Sequence, residues 1–193
     1  ESKNQSVHLK TAYSQGSILL EVAADHLSAF IRTLQEPVQT IAPWTCARSV
    51  LETTSLSIWL LNYDLNATER IKRSFAFRYD GIIQEKKLIQ SLNSNIDISK
   101  IEKNLDQLIE KARKEGLDPI KNRNDKIIGI GHTMPSVTEL IRSELDEEST
   151  YRLLSAITHA HPFAFNQLGF RKHSKSSDKD HMNFEKSLCS IPM

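Results

Sequence analysis

The sequence predicts an all-α protein, a helical bundle of about six helices around a buried central helix at 43–63, ending in a flexible polar C-terminal tail. Three observations carry this. Glycine and proline are scarce, six of each in 193 residues, which argues against a turn-rich β architecture. Leu, Ile, Ala, Glu and Lys, all good helix formers apart from Ile, dominate between the breaks. Helix-start signals also recur along the chain. A length of 193 residues suits one domain, read as 1–170, followed by a polar tail or short terminal helix at 171–193.

The elements follow from caps and stops. Ser99-Lys-Ile-Glu102 and Ser136-Val-Thr-Glu139 fit the capping box, in which a hydroxyl and a carboxylate three residues on satisfy free N–H groups. Asn66-Ala-Thr-Glu69 is a looser version with Asn as the cap. Pro43 suits the first turn of a helix, and Gly116 followed by Pro119 supplies a stop. Helices are therefore expected at about 8–35, 43–63, 67–93, 99–115, 136–146 and 149–168. Asn122 to Pro135 reads as the one substantial loop. Its Gly129-Ile-Gly131 lacks what a phosphate loop or dinucleotide fingerprint needs, so an irregular crossover is expected.

Composition also narrows the partners. Net charge is +1, so nucleic-acid binding would need a local basic patch. Pro43 to Leu61 is nearly long enough to cross a bilayer, but Arg48 and Glu52 fall inside it, so a core helix and no membrane partner are expected. Cys46 and Cys189 stand alone, without disulfide or metal-ligand spacing, which favours a reducing, cytoplasmic setting. His173 and His181 in the tail match no standard metal site, and no metal or other cofactor is expected. Asn183 to Leu188 is the candidate for the short terminal helix.

Two stretches carry the chemistry. On the central helix Arg48, Glu52, Ser55 and Trp59 form one stripe, and Arg48 can pair with Glu52 four residues on. Glu52 then serves either as half of an internal ion pair or as the anchor for a cation from another helix. The second stretch is Y-R-L-L-S-A-I-T-H-A-H-P-F, residues 151–163. Seven steps of roughly 100° put Arg152, Ser155 and His159 on one face. Pro162 should end or bend this helix beside His161, leaving His159 next to a cleft. Histidine can shuttle a proton near neutral pH, and arginine can hold a phosphate and stabilise growing charge. Metal-independent RNA cleavage, with the 2′-hydroxyl as nucleophile, suits that pair.

Arg152-Leu-Leu-Ser-Ala-Ile-Thr-His159 resembles the arginine–histidine motif of the HEPN superfamily. The wider pattern, A-P-W-T-C-A-R-S-V-L-E-T and later Y-R-L-L-S-A-I-T-H-A-H-P-F-A, is similar to a group of uncharacterised bacterial helical proteins over residues 16–168. The HEPN resemblance implies an all-α, homodimeric endoribonuclease of a toxin or defence system, with an antitoxin or defence partner protein. Arg152 and His159 would be catalytic, His161 would assist, and Glu52, Arg48 and Ser155 would support them. Arg70, Lys72, Arg73 and Arg78 are the candidates to contact RNA. Leu153 stands where such enzymes often carry a polar residue, and His161 and Phe163 where many have a tyrosine. The acidic run Glu144, Asp146, Glu147 and Glu148 would repel a phosphate backbone. The alternative expectation is a non-catalytic helical interaction or dimerisation module.

Overall fold

The computed structural model describes residues 3–92, 97–167, 170–172 and 184–186, and within them seven helices carry most of the chain. They are α1 (Lys3–Thr33), α2 (Ala42–Leu61), α3 (Ala67–Leu92), α4 (Ser99–Lys114), α5 (Val137–Leu145), α6 (Glu148–Thr158) and α7 (Pro162–Gln167). The expected all-α bundle is the fold. Most of the expected helix ends form as well. Pro43 opens α2, Asn66 Oδ1 accepts from the Glu69 N–H at 2.8 Å, and Ser136 and Glu139 complete a capping box. At Gly116, with φ of 73°, the chain leaves α4, and the Leu117 N–H closes back on Ala112 O at 2.9 Å. Ser99 does not cap α4. Asp97 takes both its N–H and its hydroxyl, while Glu102 reaches Lys86 at 2.7 Å instead.

Two expected elements differ. Residues 122–135 are not a plain loop, because β1 (Pro119–Lys121), β2 (Ile127–Ile130) and β3 (His132–Thr133) form a small antiparallel meander. Asn122 makes the first turn by accepting from the N–H groups of Asn124 and Lys126, and Gly131, at φ of 64°, makes the second. The sheet packs on α3, where the Tyr79 hydroxyl donates to Ile127 O at 2.7 Å. The helix expected at 149–168 breaks after Thr158. Ala160 adopts φ of 54°, with Ala160 N–H bonded to Ile157 O and His161 N–H to Ala156 O, and Pro162 starts α7. In the tail, Phe184–Lys186 (β5) pairs with Phe170–Lys172 (β4), so that segment is strand where a terminal helix was expected. His173, His181 and Cys189 lie outside the described residues.

α2 is the hub and touches α1, α3, α5 and α6. It is sheathed rather than sealed: Ser55, Ser57, Trp59 and Leu60 are buried, whereas the turns from Cys46 to Thr54 are only half-buried. Against α1 the approach is close. The Ser57 hydroxyl donates to Gly16 O at 2.9 Å, and a Cβ at Gly16 would collide with the Leu61 side chain. Trp59 and Leu60 then meet Ala76 of α3 and Leu140 of α5, while Ile71, Phe75 and Tyr79 of α3 pack on α4 and Ile130 of the sheet.

The basic cluster on α3 explains how α2 ends. The last carbonyls of a helix have no partner within it. Arg70, 4% exposed, donates to Leu60 O at 3.0 Å and Asn62 O at 2.9 Å, and Arg73 donates to Trp59 O at 2.8 Å. Lys72 pairs with Glu69, and Arg78 lies over the Phe75 ring, where burial lowers its pKa. These four side chains, expected to face RNA, are thus engaged within the fold. Replacing Arg70 with Met removes donors from buried carbonyls, each worth about 1–3 kcal/mol when orphaned. Urea denaturation of R70M is expected to show a loss of roughly 2–4 kcal/mol. A loss below the usual scatter of a surface substitution would mean that water replaces the guanidinium.

Candidate functional site

The half-buried turns of α2 are where the site lies. Arg48 and Glu52, one turn apart, point toward α6, and Arg48 Nε donates to Glu52 Oε1 at 2.8 Å. The Tyr151 hydroxyl, from α6, donates to the same carboxylate oxygen at 3.0 Å. The Arg48 guanidinium lies 5.6 Å from the Tyr151 ring centroid. Its far edge reaches His159, with Nη1 3.0 Å from Nε2. Arginine only donates, so His159 accepts through Nε2 and carries its ring proton on Nδ1 in this contact. Four side chains from two helices therefore form one network.

His159 is the C-cap of α6, and the left-handed turn at Ala160 brings His161 beside it. The two imidazole rings stand edge to face, with centroids 6.5 Å apart. His161 stacks in turn on Phe163 at 6.2 Å, and Phe163 is 60% exposed. The row of rings from His159 to Phe163 opens to solvent, while Arg48 and Glu52 keep 20% and 28% of their side chains exposed. The arrangement is an open surface site with a guanidinium at its base and imidazoles at its rim.

Arg152 takes no part in this network. Arg152 is 67% exposed and donates to Glu148 through Nε and Nη2, at 2.8 and 2.7 Å. The reason lies in the inward face of α6. Tyr151, Leu154 and Ile157 are buried, so Arg152 points outward, about 100° further round. The His159 N–H still bonds to Ser155 O at 3.0 Å, so the outward face of α6 runs on to His159, but the two side chains take different partners, Glu148 for Arg152 and Arg48 for His159. Ser155 is half-buried and Ser55 is fully buried, its hydroxyl donating to Glu52 O at 3.0 Å. Glu52 binds a cation of its own helix and a phenol from α6, which is the internal-pair alternative with an added partner. Of the acidic run, Glu148 is taken up by Arg152 and, at 3.9 Å, by Arg142. Tyr151 was missed. The signal was its place three and six residues before Leu154 and Ile157, on the apolar face, opposite a central helix already known to carry Glu52.

Burial works against charge on Arg48, but Glu52 and the hydrogen bonds to it and to Tyr151 outweigh that, and its pKa is raised. For Tyr151 burial, then the hydrogen bond to Glu52 and its charge, push the phenol above its ordinary value. The side chain is thus a neutral donor through the physiological range. Among the described residues no three His, Cys, Asp or Glu side chains come together to hold a metal ion, and no helix is long and apolar enough to cross a membrane.

A model described as a family of unknown function, DUF5677, matches residues 20–179. No curated protein and no solved structure matches the chain.

The raised Tyr151 pKa has a stability consequence. The unfolded phenol loses its proton near pH 10, whereas the folded one still holds it there. Its contribution is complete below that pH and is lost as pH rises through the folded value. Denaturation at pH 8 and about pH 11 is expected to show a smaller alkaline loss for Tyr151→Phe than for the unaltered chain. Tyr79, also raised by burial and then by Asp80, remains in both proteins. Equal losses would mean that the Glu52–Tyr151 bond is not kept in solution.

Proposed function

Since the chain belongs to DUF5677, a family of unknown function matching residues 20–179, the reading rests on the site itself, and we propose metal-independent cleavage of RNA at the Arg48–His159 pair. The observation that carries this reading is the 3.0 Å contact between Arg48 and His159, with His161 beside it. Arg48, held by Glu52, is the group that would bind a phosphate oxygen and stabilise the charge that grows on it. A phosphate would displace the Nη1–Nε2 contact and free the His159 lone pair. His159 then takes the proton of the 2′-hydroxyl as this oxygen attacks phosphorus. His161, protonated, gives a proton to the departing 5′-oxygen. The products are a 2′,3′-cyclic phosphate and a free 5′-hydroxyl. Two rings 6.5 Å apart suit the two sides of one phosphate. Phe163 offers an exposed face on which a base of single-stranded RNA can stack.

The toxin or defence role, with a second copy or a partner protein, rests on the resemblance of the 152–159 segment. The site proposed here differs from that motif in its cation, Arg48 in place of Arg152. One observation favours the non-catalytic reading, a helical interaction module. Arg48, Glu52 and Tyr151 satisfy one another without a ligand, so the network can serve simply to join α2 and α6.

Purified protein incubated with single-stranded and structured RNA in excess EDTA separates these readings. Cleavage is expected, falling about 100-fold or more in Arg48→Ala and His159→Ala. Arg152→Ala is expected to cleave nearly as well as the unaltered chain, since that side chain stands in solvent. Absence of cleavage, or equal cleavage by all four proteins, would leave the interaction module as the better account.

A further inference from the structure

The helix α1 runs 31 residues, and the bundle uses only part of its apolar surface. Ala12, Gly16 and Ala23 face inward. About 70° round the helix lies a second row, Ser17, Leu20, Ala24, Leu27, Ile31 and, just past the last turn, Leu34. The steps alternate between three and four residues, which is the heptad spacing of helices that pair along their length. Leu20, Leu27, Ile31 and Leu34 are between 47% and 53% exposed. Half of each side chain therefore stands in water. Together they make an apolar patch of a few hundred Å², the scale that marks an association surface.

We propose that a second copy of this chain packs on this row, α1 against α1 and antiparallel. The row is complementary to itself in that sense. Setting Leu27 opposite Ala24 of the second copy also sets Leu20 opposite Ile31 and Ser17 opposite Leu34, so a large residue meets a small one in two of these pairings and a leucine meets an isoleucine in the third. In the same register Glu21 lies within two residues of Arg32 of the second copy, roughly 3 Å along the axis, and symmetry makes the pair twice. Fewer than three heptads would be short for free helices, but α1 is already ordered by α2 and α3, so association does not have to nucleate it.

Sedimentation equilibrium of the full chain tests it. A dimer is expected, weakened about 100-fold or more by Leu27→Glu or Ile31→Glu with helical circular dichroism unchanged. Ile18→Glu, an exposed position on the far side of α1, is expected to leave the dimer intact. Glu21→Arg and Arg32→Glu should each weaken it, and together restore it. A chain that stays monomeric at high concentration, or a dimer indifferent to Leu27→Glu, would overturn the proposal. Failure of the double charge swap to restore pairing would overturn the antiparallel register. Monomers that sediment with phosphatidylcholine vesicles would also overturn it, assigning the row to a lipid surface.

Discussion

Everything in this fold depends on how α2 stops. A helix that runs through a bundle must end somewhere, and its last carbonyls cannot be left dry and unpaired. Arg70 and Arg73 reach across from α3 to take them, and their positive charge also suits the negative end of the helix dipole. That contact sets α3 beside the C-terminal half of α2 and closes the cluster of Trp59, Leu60, Ala76 and Leu140. The first half of α2 meets α6 through Arg48 and Glu52, and there the helix keeps the polar groups that a fully buried helix could not carry. The site is thus the open end of an element whose other end is closed.

What the sequence showed and what it concealed divide along a physical line. Caps at Asn66 and Ser136, the proline start of α2 and the glycine stop of α4 depend on partners within four residues, and all are where local chemistry puts them. Ser99 failed for a local reason too, because Asp97 sits two residues away and competes for the same groups. Arg70 and Arg73 looked like a solvated face because their partners are carbonyls, which every residue has and no pattern marks. Counting turns puts Arg152 and His159 on one face but is blind to partners, and Glu148 takes the one while Arg48 takes the other. The β meander is marked by Asn122, Gly131 and the isoleucines at 127, 128 and 130, a turn–strand–turn pattern too short to stand out from the irregular crossover expected there.

Within the site, Arg48 belongs to two relationships of different kinds. Its bond to Glu52 is a pair within one helix and survives as long as α2 does. Its contact with His159 spans two helices and depends on α6 docking, which Tyr151 enforces by holding Glu52. A phenol kept neutral by burial can do this without adding charge, so the carboxylate is shared while the guanidinium remains the only cation of the network.

The turn at Ala160 separates two scales of precision. His159 and His161 flank a single residue in a left-handed conformation, tied by two backbone hydrogen bonds to α6. Their mutual spacing is therefore a property of five or six consecutive residues. The gap between His159 and Arg48, in contrast, is set by how two helices dock. Drift in the core beneath α6 would slide the imidazole pair as a unit across α2 without changing its internal geometry. Such a cassette can be re-aimed by packing changes alone, which leaves selection free to tune where the pair points independently of what it is.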